Sequence, residues 1–209
     1  MDGLNWNFSL AVPDRWYVRD EASWATEATT ARAVQERLVR RPDLAPVGPV
    51  LCQLLMDSCR DAGLHGAVAA ATLWEPSGHG SGATAATLVV VAAERAQPED
   101  DAAEVARLLQ VLREGSDSDL APREVSAVQL PAGDAVRLRR LTCTDGAGPG
   151  EAELVIDTVQ HWVPVPGGSA ILVLVGSTPC LDVADELAET FDAIAETLAF
   201  DGRPGPARR

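Results

Sequence analysis

The chain has 209 residues, of which 46% are hydrophobic and 23% charged, which suits one folded domain with a sizeable core and excludes a disordered chain. The formal net charge is −14, and the basic residues are all arginines, a usage typical of a high-GC actinomycete genome. Nucleic-acid phosphates and anionic lipids both require a basic surface. We therefore expect no nucleic-acid partner.

Targeting and metal-binding signals are both missing from the sequence pattern. The start, "MDGLNWNFSL", has neither the basic stretch nor the apolar run of a signal peptide, and the apolar runs elsewhere are shorter than the roughly 20 residues that span a bilayer. We predict a cytoplasmic protein without membrane insertion. The cysteines form no C-x-x-C pair, and no histidine stands at ligand spacing, so we expect buried thiols, no metal and no cofactor. These residues are Cys52, Cys59, Cys143, Cys180, His65, His79 and His161.

The first half of the chain predicts strands and helices in alternation. "LNWNFSLAV" alternates apolar and polar residues as a half-buried strand does, and Pro13 ends it. Helical patterns follow at 27–40 and 47–61, and then two strand-like segments, "GAVAAATLWE" and "ATLVVVAAE". "PEDDAAEVARLLQVLREG" predicts a helix with Pro98 in its first turn and Gly115 at its end. Its predicted buried stripe is Ala102, Val105, Leu108, Leu109 and Leu112.

The second half predicts hairpins and a closing helix. Two strands surround the turn "PAGD", and a long strand at 151–165 turns on "PGG" into a partner strand at 170–176. That partner strand is apolar on both faces, so we predict that it is central and covered on both sides. The closing helix, predicted at 182–199, carries one apolar stripe: Ala184, Leu187, Phe191, Ile194 and Leu198.

No repeat or linker divides the chain, so we predict a single domain at 1–200 and a disordered tail at 201–209. Hairpins dominate the order of the predicted elements. The pattern therefore predicts an α+β fold in which helices pack on a mostly antiparallel sheet.

Several segments resemble the PsbP-like superfamily. "FSLAVPDRW" is similar to its opening strand and Pro-x-x-Trp corner, "VQLPAGDAVRL" and "VQHWVPVPGGSAILVLVGSTP" to its central hairpins, and "ETFDAIAETLAF" to its closing helix. The resemblance covers about two-thirds of the chain and includes no catalytic signature. It implies a curved antiparallel sheet flanked by helices and used mainly to bind other proteins.

Catalytic motifs are weak. The chain has no G-x-S-x-G elbow, and the strongest candidate base is His161, which is predicted to share a strand face with Asp157, Val159 and Val163. Such a histidine is either a general base or a hydrogen-bonded structural residue, and we predict the structural role. The carboxylates Asp185 and Glu189 are interpreted as a solvated helix face. We therefore predict that the protein is not an enzyme.

Three large aromatic residues follow the first strand in a short connector. Trp16, Tyr17 and Trp24 lie beside Arg15 and Arg19, and these residue types are enriched at the energetic centres of protein interfaces. One interpretation is that the rings cap a sheet edge. The other, which we adopt as the prediction, is that they border a binding surface where the two arginines pair with carboxylates of a partner protein.

The sequence thus predicts a non-enzymatic protein-binding module, an adaptor or chaperone for a secreted or toxin partner. Two alternatives stay open. One is a small-molecule sensor or carrier with an apolar cleft between sheet and helices. The other is an immunity-type inhibitor.

Overall fold

A computed structural model of the chain describes residues 7–20, 67–76, 83–95, 100–114, 120–144 and 154–201, together with positions 32, 35, 36, 39 and 42. Two helices and one 3₁₀ turn lie among them: α1 (Asp101–Arg113), α2 (Ala184–Glu196) and the turn Leu181–Val183. The described strands are β1 (Asn7–Ser9), β2 (Trp16–Asp20), β3 (Ala67–Pro76), β4 (Ala83–Glu94), β5 (Glu124–Leu130), β6 (Gly133–Thr144), β7 (Leu154–Pro164), β8 (Ala170–Thr178) and β9 (Ala199–Asp201).

Seven of these strands form one sheet in the order β2-β3-β4-β8-β7-β6-β5, and every described pair in it is antiparallel. The predicted α+β class with a mostly antiparallel sheet is confirmed. β8 is the fourth of the seven strands, so the prediction of a central position from its apolar sequence is also confirmed. Only at Ala67–Ala69 does the register between β3 and β4 shift.

The two faces of the sheet are covered by different helices. Leu172 and Leu174 of β8 belong to the hydrophobic cluster that includes α2, whereas Ile171 and Val173 belong to the cluster that includes α1. Alternate side chains of a strand point to opposite faces, so this one strand contributes to both clusters. We call the two surfaces of the sheet the α1 face and the α2 face.

Helix α1 begins at an N-cap, Asp100, whose carboxylate accepts a hydrogen bond from the backbone of Ala103 at 3.0 Å. Of the stripe predicted for this helix, Val105, Leu108 and Leu112 are buried and Leu109 is half-buried, but Ala102 is exposed. Placing Ala102 in the stripe was therefore wrong. The helix instead buries Glu104, and the carboxylate of this residue pairs with Arg107 at 2.6 Å. A buried carboxylate is tolerated there because the guanidinium satisfies it.

Helix α2 buries the predicted stripe from Ala184 to Ile194, with Phe191 2% exposed, and Leu198, also buried, lies just beyond the end of the helix. The helix ends at Glu196, earlier than predicted, because the chain turns there into β9. β9 pairs with β1, so Phe200 lies opposite Phe8 and the two ends of the described chain meet. Asp201, which was assigned to the tail, is the last residue of β9, and 202–209 lie outside the described residues.

Two predicted helices fall largely outside the described residues. Of the helix at 27–40, positions 32, 35, 36 and 39 are described, and each is helical and exposed. The helix predicted at 47–61 is not among the described residues. Within the described ranges, no helix is long and apolar enough to cross a membrane.

Candidate functional site

The connector predicted to bind a partner forms an edge of the sheet. Residues 16–20 are strand β2, which pairs with β3 on one side, and no other described strand lies on its opposite side. A hydrogen bond from the backbone of Trp16 to the carbonyl of Pro13, at 2.8 Å, turns the chain into this strand. The N–H and C=O groups along the outer side of an edge strand can pair with another chain.

Trp16 is a core residue, and its assignment to a docking surface was wrong. Its ring is 4% exposed and meets Phe191 edge to face, with the ring centroids 5.8 Å apart. Burial of the ring on the α2 face stabilises the fold, because an aromatic side chain buries a large apolar area and gains from edge-to-face contact. The capping interpretation therefore holds for Trp16.

The neighbours of Trp16 have different surroundings. Tyr17 is half-buried, and Val18 is 59% exposed, a high value for a β-branched apolar side chain in the middle of a strand. Arg15 is 50% exposed and its guanidinium lies 3.3 Å from the carboxylate of Glu75. Arg19 is part of β2, but its side chain and the whole of Trp24 lie outside the described residues. Val18 was missed because a five-residue strand is too short to establish a period of two.

His161 lies between the sheet and α2, where it contacts the helix directly. Its Nε2 donates to Asp192 at 2.9 Å, and Arg137 of the neighbouring strand donates to the same carboxylate oxygen at 2.8 Å. Burial would raise the pKa of Asp192, but the hydrogen bonds from His161 and Arg137 outweigh it and lower the pKa to about 2. These contacts join β6 and β7 to the middle of α2.

A second ion-pair group continues along the same face toward the start of α2. Arg139 lies 2.6 Å from both Asp157 and Asp185. The hydrogen bond with Asp157 is the main cause that raises the pKa of Arg139 above its ordinary value. The side chain of Asp157 is nearly fully buried, and the guanidinium of Arg139 provides its ion-pair partner there. The predicted shared strand face of Asp157 and His161 is confirmed, and both side chains hold α2 on the sheet.

Chemistry at His161 is restricted by access. The side chain is 3% exposed beneath α2, and its described ring contact is to Asp192, a helix residue. A substrate would reach the imidazole only if α2 left the sheet. The arrangement therefore suits a structural histidine, which is the role that we predicted.

The α1 face carries a row of hydroxyl groups that no sequence pattern indicates. Tyr17, Thr72, Thr87, Ser177 and Thr158 occupy matched register positions on β2, β3, β4, β8 and β7. Directly paired residues of antiparallel strands point to the same face, so these side chains form one line across the sheet. The hydroxyls of Thr87 and Ser177 are hydrogen-bonded at 2.9 Å. Thr72 is 5% exposed, and its Oγ1 has no hydrogen-bond partner among the described residues.

The described ranges contain two of the four cysteines and one of the three histidines. Cys143 and Cys180 are free thiols and partly buried, while Cys52, Cys59, His65 and His79 lie outside the described residues. In the part of the chain that the structure describes, no group of three or more His, Cys, Asp or Glu residues is placed to hold a metal ion.

Comparison with known proteins shows a similarity of fold. No family model and no curated protein matches the sequence. Among solved structures, the chain is similar to LpqN, a protein involved in cell envelope biogenesis of Mycobacterium tuberculosis. The TM-score is 0.50 and the identity 14%, over 94% of this chain and 84% of LpqN. At this identity the likeness concerns the architecture alone.

Proposed function

We propose that the chain is a non-enzymatic protein-binding module that docks another protein along the outer edge of β2. One observation carries the proposal: β2 is an edge strand that exposes Val18 at its centre and places no described strand on its outer side. Extended segments bind to such edges through main-chain hydrogen bonds, while side chains that alternate along the strand supply specificity.

The surroundings of β2 support a protein rather than a small molecule at this edge. An exposed valine is flanked by half-buried Tyr17 and by the half-exposed guanidinium of Arg15, a mixture of apolar, aromatic and cationic groups typical of interfaces. Arg15 already lies near Glu75, so a partner carboxylate would share that guanidinium. Arg19 and Trp24 remain predicted members of the surface.

The absence of catalysis is part of the same proposal. Its support is that the strongest candidate base, His161, is buried beneath α2 and hydrogen-bonded to Asp192. Membership of the PsbP-like superfamily is also proposed, supported by the antiparallel sheet between two helices and by the segments that resemble the family. We propose an adaptor or chaperone role toward a secreted or toxin partner, as the segments that resemble the family imply; LpqN, which is similar in fold, is involved in cell envelope biogenesis.

Substitution at the β2 edge tests the proposal. The wild-type chain, Val18→Glu and a control, Ala106→Glu on the exposed side of α1, are used to capture proteins from the native host, and each captured protein is purified and titrated against all three. We expect one protein to bind wild type and control equally and Val18→Glu at least about 30-fold more weakly, the loss that a central interface residue causes. Equal binding by Val18→Glu, or turnover of a substrate that one point mutation abolishes, would contradict the proposal.

A second candidate function is binding of a polar small molecule over the hydroxyl row of the α1 face. The observation that favours it is the buried Oγ1 of Thr72, since an unpaired buried hydroxyl costs free energy that a ligand hydrogen bond would recover. This candidate site is lined by hydroxyl groups, whereas the alternative predicted from the sequence was an apolar cleft. In a thermal-shift screen of metabolites, a true ligand raises the Tm of wild type and not that of Thr72→Val. An equal shift for both proteins would rule out this site.

A further inference from the structure

The edge of the sheet farthest from β2 is the strand β5, and beyond Glu124 at its start it lacks the usual protection against pairing. Natural edge strands carry charges, prolines or bulges that prevent another strand from adding to them. Residues 125–130 of β5 carry no charged or proline residue, and the register with β6 is continuous from Glu124 to Leu130. Among the described residues, no strand lies on the outer side of β5.

Several side chains along β5 are exposed, which leaves room for a partner strand. Glu124, Ser126, Ala127 and Gln129 are exposed, whereas Val125 and Val128 are half-buried against the α1 and α2 clusters. An added strand would extend both apolar faces of the sheet by one position. It would thereby cover the exposed sides of the two valines.

Charge indicates which partner can approach. The whole chain has a formal charge of −14, but residues 123–144 contain four arginines and two acidic residues. Arg137 and Arg139 of this group pair with carboxylates of α2 and β7, so the β5 edge is close to neutral. A second copy of this acidic chain therefore meets less repulsion at β5 than its net charge would suggest.

We infer that the chain forms a two-fold symmetric dimer in which β5 pairs antiparallel with β5 of a second copy. Centred on Ala127, this pairing puts Val125 opposite Gln129, Ser126 opposite Val128, and Glu124 opposite Leu130. No two like charges face each other. The same face is kept on both copies, because a two-fold axis perpendicular to the sheet exchanges residues that share a face. The two sheets join into one, and the β2 edges stay free at its ends.

The two-fold axis makes the inference testable at one residue. Ala127 would lie directly opposite Ala127 of the partner subunit, about 5 Å away between Cα atoms. Ala127→Lys and Ala127→Glu each place like charges at that position, and the two variants mixed place opposite charges there. Like charges directly opposite destabilise a strand pair, and opposite charges stabilise it.

Sedimentation equilibrium of the full chain measures the dimer dissociation constant. We expect the wild type to be dimeric, the dimer of each single variant to be weaker by up to about fivefold, and dimer affinity to recover in the equimolar mixture. Ala106→Lys, at an exposed position of α1, is the matched control and should dimerise as wild type does. Recovery in the mixture also shows that both variants fold. A monomeric wild type at about 100 μM, which corresponds to a dimerisation free energy weaker than about −5.5 kcal/mol, would overturn the inference. Unchanged single variants, or no recovery in the mixture, would overturn it as well. These outcomes are independent of binding at β2.

Discussion

Gly176 in the central strand makes room for Phe191, and this contact gives the most direct test of how α2 packs on the sheet. A Cβ atom added at Gly176 would lie 2.3 Å from Cγ of Phe191 and 2.4 Å from Cδ1. Carbon atoms in contact are about 3.5 Å or more apart, so the ring or the strand would have to move by about 1 Å. Phe191 is fully enclosed and contacts Trp16, which restricts that movement.

The expected cost of Gly176→Ala follows from this overlap. Overpacking a core typically costs about 1–3 kcal/mol, and the enclosed ring places this case near the upper end. The substitution also restricts the unfolded chain, which returns about 0.4–1 kcal/mol. We therefore expect the free energy of unfolding to fall by about 2 kcal/mol, and the Tm by about 4–8 °C for a chain of this size.

Urea and thermal denaturation measure the effect. Phe191→Ala removes the ring, including the three atoms nearest the added Cβ, so the double variant should be at least about 1 kcal/mol more stable than the sum of the single effects predicts. Glu189→Ala, on the exposed side of the same helix, serves as the control and should change stability by less than about 0.5 kcal/mol. A Gly176→Ala protein as stable as wild type would refute the described packing of α2 against β8.

Three further predictions concern the core and the ion pairs. Phe191→Asp should lower the free energy of unfolding by more than about 4 kcal/mol, because it buries an unpaired charge; a melting temperature equal to wild type would contradict the position of α2 in the core. The pKa of Asp192 is about 2 in the folded protein, below its usual 3.8, so the stabilisation that its carboxylate provides is present above pH 4 and is lost as the pH falls toward 2. After allowance for the partial exposure of Asp192, we expect its ionisation to stabilise the fold by about 1 kcal/mol, and this pH-dependent part of the free energy of unfolding should be absent in Asp192→Asn. An identical pH profile of unfolding for wild type and Asp192→Asn would contradict this. Arg95, buried just after β4, donates to the carbonyls of Val165 and Gly168 and pairs with the half-exposed Asp101. Arg95→Ala leaves those carbonyls without this donor and should cost about 2 kcal/mol in chemical denaturation, whereas a loss below about 0.5 kcal/mol would show that these contacts contribute little.

Local patterns in the sequence were sufficient where the physical cause is local. The double apolar alternation of 170–176 predicted a strand covered on both sides, because each face of a strand is determined by every second residue. The stripe of α2 was predicted correctly from Ala184 to Ile194 for the equivalent reason, since residues three and four apart share a helix face, whereas Leu198 lies beyond the helix. The start of α1 was predicted too early, because Pro98 was placed in its first turn, whereas Asp100 is the N-cap and the helix begins at Asp101.

Tertiary structure decided whatever depends on residues far apart in the chain. Trp16 stands in a connector without a pattern, and its burial depends on Phe191, 175 residues later. The strand order that places β8 between β4 and β7 aligns the hydroxyls of Thr72 and Ser177, which no local spacing indicates. His161 and Asp157 were predicted to share a face, but the contact of His161 with Asp192, and that of Arg139 with Asp185, follow from the docking of α2. The edges β2 and β5 exist only once the strand order is known, because a strand is an edge through the absence of a neighbour and not through any residue of its own.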